Sequence, residues 1–321
     1  MTPAIAATAP RRTRTGAVSM LAVAMAGWGT IGIFARGADA SPLTVAAWRC
    51  VFAIGALTVL CLIVRGFTRS RFTRRNVAFT LLGGVALVAN WVLLFAAYDT
   101  TTITITTVSY HAEPFFLVAI GALITRRRPS LRVIAWLAVA FAGLLLATRF
   151  IRLDGFAVDE GTLLGASFGT GAGLLYAVMT LLAKYTDGIH PQVMTLMQCM
   201  LGAVVLLPFA DALDWSGTGW RWIAAMGVIH TGLLYWFLYA AARRLSTVTL
   251  GAMAFVNPAV GILTDILLTG TIPTVEQLIG IALIVAATLT ITLRGDEEEA
   301  AGMDRQEGGR TGLGLGSSGR G

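Results

Sequence analysis

Charge is what this 321-residue chain has least of. Asp, Glu, Lys and Arg together make up 13% of it, against 56% hydrophobic residues, and the mean hydropathy is +0.75. A soluble domain of this size carries about a quarter of its residues charged, so the soluble globular class is excluded. Cysteine is nearly absent: Cys50, Cys61 and Cys199 all fall in apolar runs, and their odd number gives no disulfide framework. His111, His190 and His230 lack the spacing of metal ligands. No glycine loop followed by a phosphate-binding lysine occurs. No cofactor or metal is therefore expected, and ATP is not the energy source. Lysine occurs once, at Lys184, against 23 arginines, a bias that points to a GC-rich bacterial genome.

What is present is a series of long apolar runs. Crossing a hydrocarbon core of about 30 Å takes roughly 20 apolar residues. Ten segments meet that length, near 17–35, 44–64, 77–97, 103–125, 132–148, 161–183, 192–209, 220–240, 247–269 and 275–293. The expected class is an all-α integral membrane protein with ten transmembrane helices in a lipid bilayer. The net charge of +7 is no sign of a nucleic-acid partner, because the basic residues cluster beside the apolar runs. With the N-terminus in the cytoplasm, only Arg36, Arg149, Arg152 and Arg221 fall outside, and Arg49 lies inside a segment. Both termini of a multi-pass protein of the cytoplasmic membrane are then cytoplasmic. The Arg-rich start, the first apolar run and Ala38-Asp39-Ala40 also resemble a cleavable signal peptide. Cleavage would leave nine spans and destroy the repeat described next.

Shifted by 144 residues, the chain matches itself at Gly27 and Gly171, Gly29 and Gly173, Gly83 and Gly227, Pro114 and Pro258, and Pro129 and Pro273. In the second segment of each half the offset is 149, pairing Pro42 with Pro191 and Cys50 with Cys199. The organisation that follows is a disordered cytoplasmic lead at 1–15, a first five-helix repeat at 16–148, an external linker at 149–160, a second at 161–293, and a disordered cytoplasmic tail at 294–321. Five is odd, so the second copy enters the bilayer from the other side. Two inverted five-helix repeats place a binding site near midplane, where broken helices expose backbone groups.

Tyr110-His111-Ala112-Glu113-Pro114 lies in the middle of the fourth segment, and Phe255-Val256-Asn257-Pro258 echoes it. Pro114 and Pro258 each remove an N–H and break the helix there. An ionisable residue at membrane depth is a functional candidate, so Glu113 is a candidate to bind a cationic group or to couple transport to protons. Its counterpart Asn257 keeps hydrogen bonding without charge. Arg49, inside the second segment, is a candidate for a substrate carboxylate or for pairing with Glu113, and its counterpart is the uncharged Gln198. Thr102, Thr106, Tyr110 and Glu113 follow helical spacing and read as the wall of a vestibule. Trp28, Asn90, Trp91, Tyr176, His230 and Tyr235 supply aromatic and hydrogen-bonding groups to the cavity. Gly165, Gly169 and Gly173, four apart, suit close helix packing.

Ten spans in two inverted halves, with Trp28-Gly29 in the first, Pro42 and Trp48-Arg49 in the second and Glu113-Pro114 in the fourth, resemble the drug/metabolite transporter superfamily and, within it, the EamA family. The resemblance covers about residues 17–293. It implies alternating access for a small-molecule substrate, in members that export amino acids or other metabolites and in some cases drugs. The expected function is export of a small polar metabolite such as an amino acid, with drug efflux by the same fold as the alternative. A membrane-embedded enzyme would need a cluster of catalytic groups at one face, and none stands out. A scaffold subunit would have a solid apolar core in place of a polar cavity.

Overall fold

The computed structural model describes residues 11–150, 160–270 and 272–312, all helical or in short connections, with no strand among them. Residues 1–10 of the expected lead at 1–15, 151–159 of the linker at 149–160 and 313–321 of the tail at 294–321 lie outside the described residues. The first span is α1 (Arg11–Gly29) continued by α2 (Ile31–Ala38), and the second and third are α3 (Pro42–Ile63) and α4 (Arg74–Thr100). The fourth is split into α5 (Ile103–Tyr110) and α6 (Glu113–Thr125), and the fifth is α7 (Leu131–Ala147). In the second half, the sixth and seventh spans are α8 (Glu160–Tyr185) and α9 (Pro191–Leu206). The eighth is α10 (Gly219–Ala225) joined through a π-helical turn, Met226–Leu233, to α11 (Leu234–Ala242). The ninth is α12 (Thr247–Ala254) with α13 (Val256–Thr269), and the tenth is α14 (Val275–Gly312).

Among the described residues nine spans are long and apolar enough to cross a membrane, and α7, at 17 residues, is the shorter tenth. Helix starts follow ordinary chemistry. Ser41, Thr73, Thr102, Ser130 and Ser246 each accept the N–H three residues on, which satisfies a donor the helix itself leaves open. Pro42 and Pro191 stand in first turns, where no N–H is needed. At the chain ends helix reaches further than the sequence suggests: α1 begins within the expected lead, and α14 continues past residue 294 to Gly312. Glu297 to Ala301 are good helix formers and allow the continuation.

The packing has the two-fold character of the repeat. The second span meets the seventh, the fourth the ninth and the fifth the tenth, so each of these lies on its own counterpart. The first packs on the eighth and ninth as the sixth packs on the third and fourth. The glycine matches explain how the backbones come so close. A Cβ at Gly29 would lie 2.7 Å from the Asn257 carbonyl oxygen, and one at Gly173 would lie 2.4 Å from that of Tyr110. A Cβ at Gly83 would meet the Gln198 amide at 2.8 Å, and one at Gly227 the Arg49 carbonyl at 2.5 Å. The stripe Gly165, Gly169 and Gly173 lets α8 settle on Thr101, Ser109 and Tyr110.

The same junction recurs on both faces. On the face away from the arginine clusters, the Thr44 hydroxyl donates to the Asp211 carboxylate at 3.0 Å and accepts the Asp211 N–H at 3.0 Å. Trp48 Nε1 donates to the Asp211 carbonyl at 3.0 Å, and Arg36 pairs with Asp265 beside it. On the arginine-rich face, the His190 N–H donates to Ser70 Oγ at 2.9 Å and the Arg71 N–H to the Gly188 carbonyl at 2.6 Å. In each case the start of one repeat's second helix is tied to the loop after the other's.

Candidate functional site

The breaks fall where the prolines predict. Pro114 is the second residue of α6 and Pro258 the third of α13, so neither Tyr110 nor Ala254 receives the N–H that would continue its helix. Gly173 sits against the freed Tyr110 carbonyl, and Gly29 against the backbone at Asn257. The two breaks are thus held between the halves, one in the fourth span and one in the ninth.

Between them runs a chain of rings. Tyr110 meets Tyr176 at 6.1 Å, Tyr176 meets Trp28 at 6.3 Å, Trp28 meets Tyr235 at 4.9 Å and Tyr235 meets Trp91 at 6.3 Å, all measured between centroids. The guanidinium of Arg49 closes the chain, 4.0 Å from the Trp91 ring centre. Five helical spans contribute the rings and a sixth contributes Arg49, with Trp28 in the middle of the rings and the sequence pair Trp91 and Tyr235 at the Arg49 end.

Arg49 and Glu113 are 7% and 3% exposed, and they do not form an ion pair with each other. Glu113 acts electrostatically on Tyr110 and Tyr176, whereas Arg49 acts on His230, Tyr235 and the thiols of Cys50 and Cys199. The rings of Trp28, Tyr176 and Tyr235 stand between these two neighbourhoods. Among the described residues neither charge has an ion-pair partner, and Arg49 Nε is buried without a hydrogen bond.

The uncharged members of the expected set are engaged differently. Gln198 donates to the Thr80 carbonyl at 3.2 Å and accepts from the Tyr239 hydroxyl. Asn90 donates to the Ala172 carbonyl at 2.7 Å, tying the third span to the sixth. Asn257 is half-buried and brings its backbone to Gly29. His230 lies in the π-helical turn, with its carbonyl accepting Trp28 Nε1 at 2.9 Å. Thr102 caps α5 and, with Asp99, Thr100, Thr101 and Thr162, lines a cavity of about 350 Å³ open on the arginine-poor face. Thr106 is buried, and its hydroxyl has no partner among the described residues. Tyr239, Thr30 and Phe34 join the site beyond the residues expected from the sequence. Thr30 had a signal, since it directly follows Trp28-Gly29, whereas the π turn that brings His230 inward has no pattern in the sequence.

The model of the EamA-like transporter family matches this chain twice, over residues 15–149 and 163–293. The chain belongs to the EamA-like transporter family. The two matches coincide with the two five-helix halves, so this is a multi-pass membrane transporter of two-repeat build. It is 29% identical over 291 residues to the uncharacterized transporter YxxF of Bacillus subtilis (strain 168), covering 88% of this chain and 91% of that one. Over 237 residues it is 25% identical to the threonine/homoserine exporter RhtA of Escherichia coli (strain K12), covering 72% and 77%. A crystal structure, 18% identical, superposes with a TM-score of 0.76 over 89% of this chain and 99% of that one, and shares the fold.

Proposed function

We propose that this transporter exports a small polar metabolite of the amino-acid class across the cytoplasmic membrane, by alternating access of a site between its halves. The observation that carries the reading is Arg49, buried and stacked on Trp91, with Nε unpartnered and no carboxylate against it among the described residues. A buried cation is costly unless paired, and a substrate carboxylate supplies the missing partner. Glu113, at the other end of the ring chain, takes the cationic group of the substrate or a proton in turn. The aromatic walls and broken helices between them provide a route that opens to one face at a time. Helices whose ends carry the arginine clusters are oriented with those clusters and both termini in the cytoplasm. The named activity of the RhtA relative, threonine/homoserine export, is in keeping with this class.

Purified protein in proteoliposomes, given an imposed pH gradient and labelled amino acids, tests the reading. Transport that the gradient drives is expected, with Glu113→Gln retaining substrate exchange while losing gradient-driven accumulation. If Glu113→Gln accumulates substrate with unchanged dependence on the gradient, proton coupling through Glu113 is wrong. If no amino acid moves, the substrate class is wrong.

A further inference from the structure

His230 is 2% exposed, at the heart of the π-helical turn, with Phe34 4.6 Å from its ring centre. Its tautomer follows from counting protons. The Thr30 hydroxyl has one, and that oxygen lies 2.7 Å from the Gly27 carbonyl, which can only accept. In the 3.2 Å contact between Thr30 Oγ1 and His230 Nε2, the imidazole must therefore donate. A neutral ring with its proton on Nε2 leaves Nδ1 as a bare acceptor, and Nδ1 is buried without a partner among the described residues. Leaving such an acceptor unsatisfied costs about 1–3 kcal/mol, which a donor brought by a ligand would recover.

The character of the missing donor is set by its surroundings. Gly227, three residues before His230, presses on the Arg49 backbone, and the Arg49 charge acts on His230. At about 5 Å in a medium of effective dielectric 20, two like unit charges repel by about 3 kcal/mol, so an ammonium beside Arg49 is disfavoured. An uncharged donor has no such penalty. We infer that His230 Nδ1 accepts a hydrogen bond from a hydroxyl or amide N–H of the substrate whose carboxylate rests on Arg49, and so makes His230 a specificity-determining residue. The inference rests on the proposed role of Arg49. A site built around a hydrogen bond discriminates strongly against the analogue that lacks the donor, because the site's own buried group is then left unpaired.

Serine and alanine differ by one hydroxyl and serve as probes. With the full chain in proteoliposomes, wild-type kcat/KM for serine should exceed that for alanine at least about 10-fold, and His230→Phe should bring the ratio to about 1 through loss on serine. A ratio that is the same in both proteins, or a wild type that moves both equally, overturns the role of His230 and leaves amino-acid export standing. A wild type that moves neither overturns the role of His230, and amino-acid export falls as well only if no other amino acid moves. Should His230→Phe fail to fold, ¹⁵N spectra of the wild-type imidazoles decide. Saturating serine, and not alanine, should shift an unprotonated Nδ1 resonance; equal or absent shifts overturn the inference.

Discussion

Cys50 and Cys199, one from each half, are buried in the same core and act on each other electrostatically at the crossing of the second and seventh spans. They are also counterparts in the repeat, so the pair marks the two-fold axis itself. We expect rocking of the two halves to pivot at this crossing. Both thiols are essentially unexposed and should resist a water-soluble maleimide in the folded protein, whether or not substrate is turning over. Intact mass after labelling reads this directly. Faster labelling during transport would show that the crossing opens and that the pivot lies elsewhere.

The glycine pairs should answer to substitution as pairs. Ala at Gly29 or Gly173 places a methyl within 2.7 and 2.4 Å of a helix carbonyl on the other half. Backbone cannot yield as a side-chain tip can, so a loss of about 1–3 kcal/mol is expected for each. Gly32 and Gly55 have open space around a built Cβ, and Ala there should be neutral or slightly stabilising. Thermal unfolding in detergent compares the four; equal effects at all of them would remove the packing argument.

The fold was legible because lipid leaves the chain few choices. Apolar length marked the spans, and Pro114 with Pro258 located the breaks to within a few residues. The site was less legible, for a physical reason: sequence spacing gives the face of a helix but not which neighbour that face meets. Arg49 and Glu113 looked ready to pair, yet the rings of Trp28, Tyr176 and Tyr235 stand between them. Gln198, read as a substrate ligand from its match to Arg49, has its amide held by Thr80 and Tyr239. The π-helical turn that carries His230 has no residue type that announces it.

That engagement of Gln198 separates stability from selectivity. Gln198→Ala leaves the Tyr239 hydroxyl with only the weak Met179 Sδ acceptor at 3.7 Å and removes the side-chain donor to the Thr80 carbonyl, in a buried region, a cost of about 1–3 kcal/mol. The melting temperature should fall while the ratio of kcat/KM between two amino acids stays within about 3-fold of wild type, an energy difference of well under 1 kcal/mol. A large change in that ratio, with stability intact, would return Gln198 to the list of substrate ligands.

Arg49 offers the strictest test, because its counterpart supplies the control. In Arg49→Gln both second helices would carry the same residue at this position, so the shape of the crossing survives while the charge is gone. Arg49→Lys keeps the charge but replaces a planar group, stacked 4.0 Å from the Trp91 centre, by a strongly hydrated ammonium that neither stacks nor presents Nε. If Arg49 holds a substrate carboxylate, both variants should lose about 100-fold or more in kcat/KM, close to 2.7 kcal/mol of transition-state binding. Trp91→Phe, which retains a ring face for the guanidinium, should lose far less than Trp91→Leu, since the cation–π contact is worth about 2 kcal/mol when desolvated. Proteoliposome exchange of one labelled amino acid across these four proteins gives the order. Full activity in Arg49→Gln would mean that the carboxylate is bound elsewhere and that Arg49 only holds the helices together.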